Sequence, residues 1–278
     1  MIRATELSLR IQGKTILDKV NCTVPPGKVT VAMGKNGAGK STLLNMLAGY
    51  RLEGEAAGAV WVDEKAMQDY PPSLLATKRA VLAQAATLGF PLSVMEVVEI
   101  GTYNLYRQTT KKQRQARIDY YLDLLELTDL RDRSFPTLSG GEKKRVLLAK
   151  CLLQLDTDLT KDADTNRYLL LDEPTAALDI EQQYRFVQLA TRCARERGMG
   201  VFAVLHDLNL AARFADELIF LRAGKVVAAG PSTSVLTKKN IQTTFNVDCL
   251  IQDHPYFDCP LITTLPYGKS NFAPACAP

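Results

Sequence analysis

Long apolar runs are missing from this sequence: nowhere do about 18 to 20 consecutive apolar residues occur, so no segment reads as a membrane span. Met1-Ile2-Arg3-Ala4-Thr5-Glu6 opens on a strand pattern rather than on a basic, apolar and small-residue order, and we expect no export signal. Paired cysteines are lacking too. Cys22, Cys151, Cys193, Cys249, Cys259 and Cys276 form no C-x-x-C, which disfavours zinc or dithiol chemistry and predicts reduced, structural thiols. Charge of one sign is not in excess: 34 basic against 30 acidic residues gives +4, too mild to argue for a nucleic-acid partner. What remains is a chain of 278 residues, 46% hydrophobic, long enough to bury a large α/β core.

The most informative stretch is Gly34-Lys35-Asn36-Gly37-Ala38-Gly39-Lys40-Ser41-Thr42. It follows the apolar run Val29–Met33 and leads into the helical pattern Leu43–Ala48, so it reads as strand, glycine loop and helix start. Glycines let successive N–H groups converge on phosphate oxygens that side chains would block. Lys40 is then expected to reach the β- and γ-phosphates, and the Ser41 hydroxyl to ligate Mg²⁺.

Phosphate binding alone covers kinases, GTPases, helicases and transport ATPases; the later motifs choose among them. Leu138-Ser139-Gly140-Gly141-Glu142 opens a helical pattern that runs through Leu153. A Ser-Gly-Gly turn at that place presents N–H groups and a positive dipole end to an anion. Tyr168-Leu169-Leu170-Leu171-Asp172-Glu173-Pro174 reads as a buried parallel strand ending in two carboxylates. Asp172 can hold Mg²⁺, while Glu173 can take the proton of a water attacking the γ-phosphate.

In this order the phosphate loop, LSGGE, LLLDEP and Leu205-His206-Asp207 resemble the ATP-binding subunits of ABC transporters over nearly the whole chain. The resemblance implies an α/β P-loop NTPase of ABC type: a RecA-like core sheet, an antiparallel β subdomain and an inserted α-helical subdomain. It implies ATP and Mg²⁺ as cofactors, and a head-to-tail homodimer in which Ser139, Gly140 and Gly141 touch the γ-phosphate bound by the other copy. Gln84, after the strand Ala80–Ala83, is similar to the glutamine that senses Mg²⁺ and the attacking water. Asp179 in Ala176-Ala177-Leu178-Asp179 resembles the dimer-interface aspartate, although the family more often has Ser where Ala176 stands. His206 resembles the histidine that contacts γ-phosphate and orients the base. Two departures are expected to matter. Ile11 stands where an adenine-stacking aromatic is usual, and Lys143-Lys144-Arg145 replaces a Gln-Gln-Arg pattern, either aiding phosphate attraction or forming a solvated helix face.

Residues 1–245 are read as the nucleotide-binding domain, with a helical lobe at about 88–137 broken near Thr109-Thr110-Lys111-Lys112, and 246–278 as a C-terminal extension. A permease-docking groove is expected near Gln84 to Tyr103, with Leu88, Phe90, Pro91 and Leu92 on its rim. The aspartate-rich stretch Asp156–Arg167 lacks the order of a calcium loop and is expected to be a solvated surface loop. The segments 205–216, 221–231 and 254–262 are similar to importers of iron chelates, haem and vitamin B12, and the insertion before Tyr168 leans toward haem. Haem import across the inner membrane is therefore expected, with ferric-siderophore or cobalamin import as alternatives. By this resemblance the partners are two permease subunits and, indirectly, a periplasmic binding protein, with the chain peripheral to the cytoplasmic face. His254 beside Pro255 is expected to be structural rather than a haem ligand. A DNA-repair ATPase would need a long coiled coil between Gln84 and Ser139, and a ribosome-acting one a second phosphate loop; the sequence has neither.

Overall fold

The computed structural model describes residues 1–84, 91–106, 109–156 and 166–265. In chain order the elements are β1 (Ile2–Ile11), β2 (Lys14–Val24), β3 (Val29–Met33), α1 (Lys40–Leu47), β4 (Glu55–Val62), β5 (Lys65–Ala66), α2 (Pro72–Lys78) and β6 (Arg79–Leu82). Then come α3 (Val94–Glu99), α4 (Lys111–Leu124), α5 (Gly140–Gln154), β7 (Tyr168–Leu171), α6 (Ile180–Arg197), β8 (Gly200–Val204) and α7 (Leu208–Phe214). The chain closes with β9 (Glu217–Arg222), β10 (Lys225–Pro231), α8 (Ser232–Val235), α9 (Lys238–Phe245), β11 (Asp248–Asp253) and β12 (Pro260–Leu265).

A six-stranded sheet in the order β10-β9-β3-β8-β7-β6 forms the centre, parallel except for β10. Its strands are short continuous apolar runs because both faces are covered. Alternation still sorts the side chains: Val31, Met33, Leu169, Leu171, Val201 and Ala203 join one core with the helices, while Ala32, Leu170, Phe202, Val204 and Ile219 join another with α1 and a four-stranded antiparallel sheet, β2-β1-β4-β5. The antiparallel edge strand β10 returns from β9 through Ala223-Gly224, both at positive φ (48° and 78°), which matches the twist of a two-residue hairpin.

The inserted lobe is built from α3, a two-turn 3₁₀ segment at Ile100–Leu105, α4 and the start of α5. Reciprocal capping boxes open all three helices, Ser93 with Glu96, Thr110 with Gln113 and Ser139 with Glu142. The break between the helical patterns thus falls at Thr109-Thr110, and Lys111-Lys112 begin α4. Val97, Val98, Ile118, Tyr121 and Leu122 pack with Val146 and Leu152 in the same core that covers the parallel sheet. Leu88 and Phe90 lie outside the described residues, as do 157–165 of the polar stretch. Asp156, at its start, is half-buried against Arg117 rather than solvated, and burial pushes its carboxyl above the usual range.

The hairpin β11–β12 shares the central core through Cys249 and Ile262 and is tied to α7 by Asn209, which bonds Ile262 O (3.1 Å) and Ile262 N (2.8 Å). His254 lies at its turn, where Nδ1 accepts from the Tyr256 N–H (3.1 Å), a structural use. Five of the six cysteines are described and free; burial pushes Cys22 up to about 12 and Cys151 up to about 11, so both thiols stay protonated. Among the described residues no helix is long and apolar enough to cross a membrane.

Asp63, in the β4–β5 turn, pins the two sheets together. It accepts from Lys78 Nζ on α2 (2.9 Å), the Met1 amine (2.9 Å), Tyr168 Oη at the start of β7 (2.7 Å) and Asn166 Nδ2 (2.8 Å). Partial burial alone would raise its pKa, but these four donors outweigh it and hold the carboxyl well below the usual range. A depressed folded pKa contributes stability that is full above the unfolded pKa and is lost as pH falls toward the folded value. Asp63→Asn should therefore lower the unfolding free energy by about 2 kcal/mol at pH 7, read by urea denaturation. Its difference from wild type should shrink below about pH 4. A gap independent of pH would contradict this account.

Candidate active site

The groups expected to act on nucleotide within one chain stand just past the C-terminal ends of parallel strands. β3 delivers the glycine loop, β6 Gln84, β7 Asp172 and Glu173, and β8 His206 after Leu205. Sheet pairing continues past the strand ends, with Asp172 N–H on Leu82 O (2.9 Å) and Leu205 N–H on Ala32 O (3.3 Å), which fixes the relative heights of these residues.

The glycine loop passes between the end of β9 and the start of β2. A Cβ on Gly34 would collide with the Leu221 carbonyl oxygen, and one on Gly39, at φ 102°, would lie 2.7 Å from Leu17 Cδ2 and 2.9 Å from Ile16 O. Glycine is thus required there for close approach as well as for backbone freedom. Lys40 opens α1 and folds back into the loop, its Nζ donating to Gly34 O (2.9 Å) and Lys35 O (3.1 Å). Burial lowers its pKa, opposed by the nearby charges of Glu173 and Asp172. Asn36 and Gly37 stay exposed at the loop tip while Ala38 is buried.

Ser41 Oγ donates to Asp172 Oδ1 at 3.0 Å. Asp172 is buried, which pushes its carboxyl up, and the Ser41 hydroxyl pulls it part of the way back. Glu173 is held at both oxygens: His206 Nε2 lies 2.8 Å from Oε1, and Gln84 Nε2 donates to Oε2 at 2.6 Å. Its backbone sits in the left-handed region (φ 46°), a conformation costing a non-glycine residue about 1 to 2 kcal/mol. These groups line one open cleft of about 500 Å³ bounded by Asn36, Gly37, Gly39, Lys40, Ser41, Thr42, Gln84, Glu173 and His206. The arrangement can bind polyphosphate, present hard oxygen donors and take a proton.

Ser139, Gly140, Gly141 and Asp179 do not line that cleft. Ser139 and Gly140 are exposed at the start of α5. The capping box uses two of the amides there, since Ser139 N–H donates to Glu142 Oε2 (2.7 Å) and Glu142 N–H to Ser139 Oγ (3.3 Å); the Gly140 and Gly141 amides, in the first turn, have no partner within the helix. Asp179 is an exposed N-cap of α6, accepting from Gln182 N–H (2.8 Å), next to Ile180, a bare apolar side chain 75% exposed. Ile11 is half-buried against the core of the antiparallel sheet and does not line the cleft. Pro91 is exposed and Leu92 half-buried on the core, while Ile100, Tyr103, Tyr106 and, on α4, Tyr120 are large exposed side chains of the lobe.

One residue escaped the sequence reading. Lys144 is neither on a solvated helix face nor set toward phosphate: its Nζ donates to Glu173 O (2.9 Å) and to Ala176 O. The signal for this was the helix stripe, since Lys144 lies four, seven and eleven residues before the buried Leu148, Cys151 and Leu155 and so faces inward with them.

The chain is similar to known proteins over most of its length. The ABC transporter family model matches residues 17–176. The hemin import ATP-binding protein HmuV of Gloeobacter violaceus is 40% identical over 271 residues, covering 98% of this chain and 96% of the relative. The protein of the same name from Rhodopseudomonas palustris is 42% identical over 247 residues, covering 88% of each. Among solved structures, a metal-chelate-type ABC transporter in an inward-facing conformation matches with TM-score 0.74 and 24% identity, over 95% of this chain and 96% of that one, a likeness of fold. A dimeric ATP-binding cassette in a post-hydrolysis state with ADP and Pi matches with TM-score 0.70 and 26% identity, over 84% and 99%. With its glycine loop, paired carboxylates and LSGGE helix so arranged, and with relatives this similar over nearly its full length, the chain belongs to the ABC transporter family as one of its ATP-hydrolysing subunits.

Proposed function

We propose that this chain hydrolyses ATP to energise import of haem across the inner membrane. It acts as a homodimer on the cytoplasmic face, beneath two permease subunits that a periplasmic binding protein supplies. The observation that carries the chemistry is Glu173 held between Gln84 and His206 beside the phosphate loop. Gln84 Nε2 donates to Oε2, His206 Nε2 stands 2.8 Å from Oε1, and the carboxylate keeps lone pairs for the attacking water, whose proton it takes as general base. His206 and Gln84 fix the carboxylate's orientation, and Lys40 with the loop amides meets the phosphate charge. Ser41 Oγ, an Asp172 oxygen and the Gln84 amide oxygen are hard donors that suit Mg²⁺ and would hold it. When bound, Mg²⁺ neutralises charge on the β- and γ-phosphate oxygens.

The dimer is supported by what the cleft lacks: Ser139, Gly140, Gly141 and Asp179 of the same chain stay outside it, and the exposed start of α5 is an anion-binding helix end available to a second copy. Ile100, Tyr103 and Tyr106 support a permease contact on the lobe. The cargo rests on the relatives named for hemin import, and the mild net charge supports no nucleic-acid partner.

Glu173→Gln should slow hydrolysis about 10²- to 10⁴-fold while ATP binding persists, and Lys40→Ala should lose ATP affinity. Wild-type hydrolysis by the first variant would remove Glu173 as base; unchanged affinity in the second would remove Lys40 from phosphate binding. For the cargo, the chain is reconstituted in lipid with its permease and binding protein and given haem, a ferric siderophore and cobalamin in turn. Stimulation and uptake with haem alone is expected. A response to another chelate would keep the ATPase and overturn haem.

A further inference from the structure

Lys144 has no part in the chemistry described above, yet its ammonium group is drawn inward to two main-chain oxygens, those of Glu173 (2.9 Å) and Ala176. These are the two ends of the turn Glu173-Pro174-Thr175-Ala176, which the Ala176 N–H closes on Glu173 O at 3.2 Å. Two L-residues of this loop, Glu173 (φ 46°) and Ala177 (φ 60°), adopt left-handed backbone that neither residue favours alone. A cation bonded to both carbonyls holds the loop in that shape, and charge-assisted bonds are the stronger kind. Drawing an ammonium out of water for this is costly, and its pKa is lowered by burial, so the contact is not an incidental surface one. The other end of the connection is equally defined. Lys144 stands little more than one helical turn after Ser139, on a helix whose start is locked by the Ser139–Glu142 capping box.

We propose that Lys144 is a positioning residue that ties the LSGGE helix α5 to the backbone of Glu173, so that the base is aligned only while that helix holds its place. The inference rests on Glu173 being the general base. It gives one chain a direct mechanical link between the surface offered to a second copy and the carboxylate in its own cleft.

The test uses the full-length chain with Mg²⁺ and ATP. Lys144→Met should lower kcat about ten- to hundredfold, the usual effect of misplacing a reacting group, with ATP affinity in the absence of turnover unchanged within about twofold. Lys144→Arg, which keeps charged donors, should recover most of the rate. In the Glu173→Gln background Lys144→Met should add no further fall, because residues acting as a unit are non-additive. If Lys144→Met does not fold, as judged by its melting curve, Lys144→Gln takes its place. Lys144→Met at the wild-type rate, an equal loss of affinity and rate, or a full additional fall in the double variant overturns this inference alone. Glu173→Gln at the wild-type rate overturns the base reading and this inference with it.

Discussion

Burial of the parallel sheet on both faces is the constraint from which the rest follows. With β3, β8, β7 and β6 adjacent and covered by helices on one side and by α1 and the antiparallel sheet on the other, these four strands are almost wholly apolar, Thr30, Arg79 and Tyr168 being their polar side chains. Chemistry is pushed to the carboxyl edge, the usual site of ligand binding in open α/β sheets. The four neighbouring strands then deliver four different parts: a phosphate loop, two carboxylates, a glutamine and a histidine. Their alignment comes from main-chain pairing that continues past the strand ends. Asp63 performs the complementary task at the other side of the fold, joining both sheets and α2 through one ionised carboxylate.

Opposite charges stand close together in the cleft. Lys40 is buried among loop carbonyls with two carboxylates near it, and Asp172 is buried but bonded to Ser41. Desolvation pushes the lysine pKa down and the aspartate pKa up, while each charge steadies the other. Polyphosphate entering such a site meets donors already arranged for anionic charge, which is the condition for preorganised catalysis.

Much of this was legible in the sequence because the motifs carry their own geometry. A strand, a glycine loop and a helix start leave little choice for Gly34 to Thr42, and β3, β6, β7 and β8 lie within a residue or so of their apolar runs. Gln84 and His206 could be placed only by resemblance, since nothing in their local pattern says that both reach the oxygens of one carboxylate. Lys144 was misread because charged neighbours on both sides hide its position on the buried stripe; only periodicity across Leu148, Cys151 and Leu155 separates it from Lys143. Ile11 packs half-buried on the core of the antiparallel sheet, a contact that its place in the motif does not reveal. The Asp63 hub was invisible, because its partners come from sequence positions as far apart as Met1 and Tyr168.

In the proposed homodimer one chain holds half of each reaction site and a second copy completes it. The most direct measurement is the solution mass of the Glu173→Gln chain with and without Mg²⁺ and ATP, by light scattering. The account predicts a rise from 30.7 kDa to twice that value with nucleotide, abolished when Ser139 is replaced by a bulky residue. A particle that stays at the single-chain mass with saturating ATP would contradict it.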